Sequence, residues 1–102
     1  MTFKPLLTLF SALLLSSVLL AQNSTIKGRV TDLKTNEAVP FANVFLEKTT
    51  IGATADTAGN FILSNVPPGT YNVTCSFVGY KNQTVYEVQV TPAKSSKVDF
   101  AL

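Results

Sequence analysis

Short runs in which apolar and polar residues alternate recur along residues 22–102 and constrain the fold more than any other feature. A period of two is the repeat of a β-strand with one buried face, and no apolar stripe of helical period competes with it. The 11 Thr and 10 Val of this region also favour strands. We therefore predict about seven strands, of which residues 52–57 are the weakest. The side chains predicted to face inward are Ile26, Gly28, Val30, Ala42, Val44, Leu46, Phe61, Leu63, Tyr71, Val73, Cys75, Phe77, Tyr86, Val88, Val90, Val98, Phe100 and Leu102.

Turn residues separate these runs. Residues 56–60 read Asp-Thr-Ala-Gly-Asn, a hairpin signal, because the Asp side chain can accept backbone N–H bonds and Gly tolerates φ > 0. Residues 67–69 read Pro-Pro-Gly and predict a second sharp bend. Short strands without a helical crossover favour an all-β fold, namely an antiparallel two-sheet sandwich with Greek-key connections. Residues 22–102 are predicted to form this single domain.

Residues 1–21 differ from the rest, since 14 of these 21 are apolar against 33 of the remaining 81. Lys4 is their only charge, and 16 uncharged residues follow from position 6 to Ala21. A helix of that length spans about 24 Å, shorter than a bilayer core of about 30 Å. We predict a signal peptide over residues 1–21, with cleavage after Ala21; an uncleaved anchor is the alternative. The mature chain is expected to be exported without a membrane span.

Composition argues against catalysis. The chain has no His, which removes the usual general base near neutral pH and the commonest metal ligand. Its single Cys, Cys75, cannot close an intrachain disulfide, and its inward position predicts a buried apolar residue rather than a redox thiol. We therefore expect no enzyme, no cofactor and no metal. Outside residues 1–21, seven Lys and Arg face six Asp and Glu, a balance that predicts no binding to nucleic acid or anionic lipid.

Three residues are candidates for contact or modification. Phe41 and Phe45 lie on the opposite parity from the predicted inward residues around them, so both should point outward. They would form an exposed aromatic surface for a partner, unless neighbouring loops cover them. The triplet formed by Asp56, Thr57 and Ala58 resembles an acceptor for bacterial periplasmic O-glycosylation, which makes Thr57 a candidate modification site.

The order of motifs in the chain resembles one family, the carboxypeptidase-like regulatory domain, which has a transthyretin-like (prealbumin-like) sandwich. The motifs are IKGRVTD at residues 26–32, AVPFANV at 38–44, TTIGATADTAGNF at 49–61, VPPGTY at 66–71 and FVGY at 77–80. The resemblance implies a seven-stranded sandwich. It also implies one of two settings: beside a metallocarboxypeptidase catalytic domain, or after the signal peptide at the N-terminus of a TonB-dependent outer-membrane receptor. The predicted signal peptide favours the second.

The leading hypothesis is therefore a noncatalytic periplasmic or outer-membrane-associated module that contacts envelope proteins around receptor-driven uptake. No plug or barrel segment is present, so we expect these residues not to carry out transport, and both a free-standing module and a receptor front end remain open. The alternative is a glycan-binding or surface-adhesion sandwich that uses Phe41, Phe45, Tyr80 or Tyr86. The resemblance also raises transthyretin-like hydrolysis of hydroxyisourate, but the absent His and the terminal Phe-Ala-Leu contradict that activity.

Overall fold

A computed structural model describes residues 23–102, which form strands and turns. The predicted signal peptide, residues 1–21, lies outside the described residues. Within 23–102, no helix has the length and apolar character needed to cross a bilayer. The eight strands are β1 (Ser24–Thr31), β2 (Asn43–Leu46), β3 (Gly52–Thr54), β4 (Asn60–Val66), β5 (Gly69–Ser76), β6 (Gln83–Val90), β7 (Ser95–Lys97) and β8 (Phe100–Ala101).

The strands form two four-stranded sheets. Sheet 1 has the order β4-β1-β7, and β8 also pairs with β1; sheet 2 has the order β3-β2-β5-β6. The prediction of an all-β two-sheet sandwich is confirmed. The final apolar run, predicted as one strand over residues 98–102, contains only the short β8, and β7 lies before it where no strand was predicted. The weak strand predicted over residues 52–57 is restricted to β3.

The core lies between the sheets and consists of the alternate residues that face inward. In β1, β2 and β4 the predicted inward residues are buried, apart from Gly28, which is half-buried. The rings of Phe61 and Phe100 pack at a tilt in sheet 1, with centroids 6.0 Å apart. The buried apolar residues are Ile26, Val30, Val39, Ala42, Val44, Leu46, Ala55, Phe61, Leu63, Val66, Val73, Cys75, Val90, Val98 and Phe100.

The expectation of antiparallel pairing fails at β1, which runs parallel to both β7 and β8. The reason is that the chain leaves β6 at the edge of sheet 2, crosses to sheet 1 and then runs in the direction of β1. Between β7 and β8, the Val98 N–H donates to the Lys27 carbonyl at 2.9 Å. Two residues further along β1, the acceptor is a side chain, because Asp99 Oδ1 accepts the Arg29 N–H at 3.0 Å. The Asp99 side chain thus continues the hydrogen bonding to β1 in the gap between β7 and β8.

The predicted alternation is wrong at one position of β6, since Tyr86 points outward and is 70% exposed. Val88 and Val90 face inward as predicted, and Val85 takes the inward position expected for Tyr86. Val85 pairs with Val73 and Val88 with Tyr71, so two residues of β6 oppose the single residue Asn72 of β5. This arrangement is a β-bulge, and Glu87 within it has φ +54°. Because of the extra residue, the inward side chain before the bulge is the odd-numbered Val85, and the inward side chain after it is the even-numbered Val88.

The turn predicted at residues 56–60 is present, but the prediction of a hairpin is wrong, because β3 before the turn belongs to sheet 2 and β4 after it belongs to sheet 1. Asp56 Oδ1 accepts the N–H groups of Ala58 and Asn60, both at 2.9 Å. Gly59 has φ +80°, and a Cβ there would lie 2.5 Å from the Val30 carbonyl oxygen. The turn therefore requires glycine both for its backbone conformation and for the close approach of β1.

Candidate interaction surface

Phe41 and Phe45 are both solvent-exposed, at 56% and 38% respectively. Phe45 lies in β2 and points away from the core, where it is paired across the sheet with Gly52 and Thr74. Phe41 precedes β2 and has φ +64°, while its N–H donates to the Ala55 carbonyl at 3.1 Å. The predicted outward direction of both rings is confirmed. Phe41 lies two residues before the first residue of β2, and Phe45 is the third of its four residues.

A polar network that the sequence analysis did not identify surrounds Phe45 on the outer face of sheet 2. Thr74 Oγ1 donates to Glu47 Oε1 at 3.0 Å. Since that bond uses the only hydroxyl proton of Thr74, the 2.9 Å contact between Thr74 and Thr84 must be a bond donated by Thr84. Asn72 Nδ2 donates to the other Glu47 oxygen at 3.3 Å, and Asn72 Oδ1 accepts the Glu87 N–H at 3.1 Å.

Tyr86 borders this network because of the bulge, so that Phe45 and Tyr86 flank polar side chains on one face. Only the position of the bulge places Tyr86 there, and straight alternation had assigned it to the core. No glycine or proline in β6 signals the irregularity. The pairing of β6 with β5 was therefore needed to find this residue.

The outer face of sheet 1 carries a cluster of cations around a groove of about 620 Å³. Lys27 and Arg29 come from β1, Lys97 from β7, and the exposed Ile62 from β4. The register places Lys27 opposite both Ile62 and Lys97. Arg29 Nε donates to the Ala58 carbonyl at 3.1 Å, which orients its guanidinium group. The near-neutral overall charge of the chain concealed this local cluster.

A second hydrogen-bonded cluster joins the end of β1 to the loop before β6. Tyr80, named above as an aromatic available to a glycan, is half-buried and donates its hydroxyl proton to Asp32 Oδ2 at 2.9 Å. Asp32 Oδ1 accepts the N–H groups of Lys34 and Thr35. These bonds stabilise the carboxylate, so the pKa of Asp32 is lowered, chiefly by the Tyr80 hydroxyl. The same bond raises the pKa of Tyr80.

Reactive groups are sparse in the part of the chain that the structure describes. No three His, Cys, Asp or Glu side chains within residues 23–102 are grouped so that they could hold a metal ion. Cys75 is buried in sheet 2, as predicted, and desolvation raises the pKa of its thiol to about 11. A thiol with that pKa remains protonated and is a poor nucleophile at neutral pH.

Thr57 is exposed in the Asp56 turn, which joins sheet 2 to sheet 1. Asp56 Oδ1 accepts the N–H groups of Ala58 and Asn60, which follow Thr57, so the turn is held without using the Thr57 hydroxyl. The hydroxyl is therefore accessible in a well-formed turn. Modification at Thr57 remains a prediction.

Residues 25–102 match the carboxypeptidase regulatory-like domain family, and this match covers nearly the whole described region. The chain belongs to that family. The resemblance drawn from the motifs is thus confirmed, and the eight-strand sandwich is the form that the regulatory-like domain takes here.

The regulatory-like domain is also similar to one receptor. It is 43% identical over 81 residues to the TonB-dependent receptor SusC of Bacteroides thetaiotaomicron. That alignment covers 79% of this chain but only 8% of the receptor, so the domain corresponds to a small part of a much longer protein.

Solved structures confirm the fold. A cohesin–X-dockerin complex from Acetivibrio cellulolyticus contains a chain with a TM-score of 0.64 and 23% identity, covering 72% of this chain and 51% of that one. A putative carbohydrate binding protein from Bacteroides uniformis has a TM-score of 0.59 and 20% identity, covering 78% of this chain and 41% of that one. At these identities the likeness concerns the sandwich alone.

Proposed function

We propose that this regulatory-like domain is a noncatalytic, exported interaction module that contacts envelope proteins of TonB-dependent uptake at the outer membrane. The observation that carries the proposal is the 43% identity to a TonB-dependent receptor across 81 residues. The predicted signal peptide supports the same location, periplasmic or associated with the outer membrane.

The noncatalytic part of the proposal rests on chemistry. The chain has no His, and its one thiol is buried with a raised pKa. Four of the six described carboxylates instead have structural bonds: Asp32 and Asp56 cap turns, Glu47 joins strands of sheet 2, and Asp99 connects to β1. These groups stabilise the sandwich, and we expect the domain to act by being bound.

Phe41 and Phe45 are the proposed contact residues. Exposed aromatic rings contribute large apolar areas at low cost in conformational entropy, and such residues are enriched in interfaces. Both rings adjoin β2, a strand that β3 and β5 hold on either side, so the backbone beneath Phe45 is well supported.

Crosslinking in living cells tests this function. The full chain would be exported by its own leader, crosslinked, purified from the envelope and examined by mass spectrometry. We expect receptor components to be enriched with the wild-type chain and lost when Phe41 and Phe45 are both replaced by Ala. Val78→Ala is the matched control, because Val78 is also apolar and is 91% exposed, but lies in the loop before β6. Enrichment of no envelope protein would contradict the proposal.

The second candidate function, glycan binding, is favoured by one observation. Phe45 and Tyr86 flank the polar side chains of Asn72 and Glu47 on one outer face, and rings beside hydrogen-bonding groups suit sugar surfaces. We would test it with a glycan array, comparing the wild-type chain with Tyr86→Ala and with Phe41→Ala. Binding that depends on Tyr86 but not on Phe41 would support this function over the first.

A further inference from the structure

We infer that the open edge of β4 and the cations beside it bind an acidic extended segment of a partner protein, which adds to sheet 1 as a further strand. This inference rests on the proposed role as an interaction module and names the chemistry of one contact. It concerns a different face from Phe45, which lies on sheet 2.

Strand β4 has an unpaired edge on the side away from β1. Within residues 23–102, β4 pairs only with β1. The N–H and C=O of Asn60 bond Asp56 rather than β1, which shows that these groups point away from β1. Because this direction alternates along a regular antiparallel strand, the N–H and C=O groups of Ile62 point to the same outer side. The alternation ends at Leu63, where the register shifts, and Asn65 has φ +57°. An extended segment can therefore pair there.

Positive charge lies beside the unpaired edge of β4. Lys27, Arg29 and Lys97 surround the groove, and Asp99 is the single carboxylate that lines it. Asp99 is already engaged, since its Oδ2 lies 3.8 Å from Lys97 Nζ and its Oδ1 accepts the Arg29 N–H. Among the described residues, neither Lys27 nor Arg29 has a carboxylate within ion-pair distance. The face thus holds two cations that an acidic partner would complement.

The spacing of the two cations along β1 matches the spacing of alternate side chains on an added strand. An added strand would lie about 10 Å from β1, two strand spacings away, with β4 between them. Glu side chains on the outer face of that strand would extend across Ile62 toward Lys27 and Arg29, which themselves extend outward. Lys27 and Arg29 are two residues apart in β1, so acidic residues at alternate positions would face one cation each. The aliphatic parts of those side chains would cover Ile62, which is 59% exposed.

The test uses a capped seven-residue peptide of alternating Glu and Val, with the protein purified from the envelope after export. We expect binding by fluorescence anisotropy, and an amide shift in NMR spectra at Ile62. Affinity should fall with added salt, because the charges are exposed. A peptide in which Lys replaces Glu should not bind. A peptide N-methylated at the residues that face β4 should bind at least tenfold more weakly, because it lacks the donors that the edge requires.

Charge reversal on the protein provides the matched comparison. Lys27→Glu should weaken the binding of the acidic peptide about tenfold, since it replaces an attraction between opposite charges by a repulsion between like charges. Lys48→Glu makes the same change in the turn after β2, on sheet 2, and should leave the affinity within twofold. Both sites are exposed, so both variants are expected to fold.

Three results would overturn the inference: no binding of the acidic peptide, equal binding of the Lys peptide, or amide shifts confined to β6. Binding to vesicles containing phosphatidylglycerol without binding to the peptide would also overturn it, in favour of a membrane surface. Failure here is distinguishable from failure of the proposed function. If cellular crosslinks to receptor components persist in Lys27→Glu and the peptide does not bind, the module role stands and the β4 contact is wrong.

Discussion

The Val98 carbonyl group occupies the space that a side chain at position 28 would need. A Cβ built on Gly28 would lie 2.6 Å from the Val98 carbonyl carbon and closer still to its oxygen. Gly28 is one of the two residues, with Arg29, at which β1 changes partner from β7 to β8. The absence of a side chain there allows the crossing chain to lie directly against β1.

Gly28→Ala should therefore be strongly destabilising. The obstacle is backbone on one side and the Phe61 ring, 3.0 Å away, on the other, so relaxation would have to move β7 or β8. We expect a loss of about 3 kcal/mol or more in the free energy of unfolding, measured by urea denaturation. The control is Gly52→Ala in edge strand β3, where the nearest atom would be the Val44 oxygen at 3.2 Å. Equal losses in the two variants would contradict this account.

The bond between Tyr80 and Asp32 should make stability depend on pH at both extremes. It requires an ionised Asp32, whose pKa is lowered below 3.8 first by Tyr80 and then by the Lys34 and Thr35 N–H groups. Its stabilisation is present above that unfolded value and is lost as the pH falls through the lower folded pKa. The bond also requires a neutral Tyr80, whose pKa is raised above 10.0. That contribution is present below 10.0 and is lost as the pH rises through the folded pKa.

Tyr80→Phe tests this dependence. NMR titration should show the pKa of Asp32 moving upward toward 3.8, because its largest stabilising partner is gone. Urea denaturation over a range of pH should show a smaller loss of stability in acid than the wild type shows. An unchanged Asp32 pKa would show that the hydrogen bond does not form in solution.

Cys75 should be inert in the folded protein. Burial raises the pKa of its thiol to about 11, so little thiolate forms and the sulfur is inaccessible to reagents. We expect a disulfide reagent at about pH 8 to label the native chain very slowly and the urea-unfolded chain readily, since an unperturbed thiol has a pKa near 8.5. Similar rates for the two forms would place Cys75 at the surface. No matched thiol exists, as the chain has one Cys.

The bulge in β6 predicts opposite responses at two neighbouring exposed positions. Glu87 has φ +54°, so Glu87→Gly should stabilise by about 0.5 kcal/mol and Glu87→Val should destabilise by about 1–2 kcal/mol. Gln89 lies in regular strand, where Gln89→Gly should destabilise and Gln89→Val should be neutral or favourable. Thermal unfolding of the four variants checks this. The same order at both positions would contradict the bulge.

Thr57 is predicted to carry an O-linked glycan in cells that perform periplasmic O-glycosylation. Its hydroxyl is exposed in a turn that Asp56 holds, so attachment would not disturb the fold. Intact mass of the exported chain should exceed that of residues 22–102, and Thr57→Val should remove the excess. Thr54→Val, also exposed but in β3, is the control. An unmodified mass in such cells would contradict the prediction.

Local pattern was sufficient for most of the sandwich. Val30, Val44 and Leu63 were placed inward by alternation alone, because a strand with one wet face requires that pattern. The Asp56 turn was likewise predictable, since its bonds join residues four or fewer apart, but its place between the two sheets was not. The exposure of Phe41 and Phe45 followed from the same parity argument.

The sequence by itself determined the elements, the turns and most of the inward faces, because these depend on neighbours within a few residues. Only the tertiary structure decided which strands meet, and hence the parallel pairing of β1, the outward position of Tyr86 and the reason for Gly28. The cation cluster also depended on the tertiary structure, since Lys27 and Lys97 become neighbours only when the last strands cross to sheet 1. Long-range pairing is selected by the packing of the whole core, which no local pattern encodes.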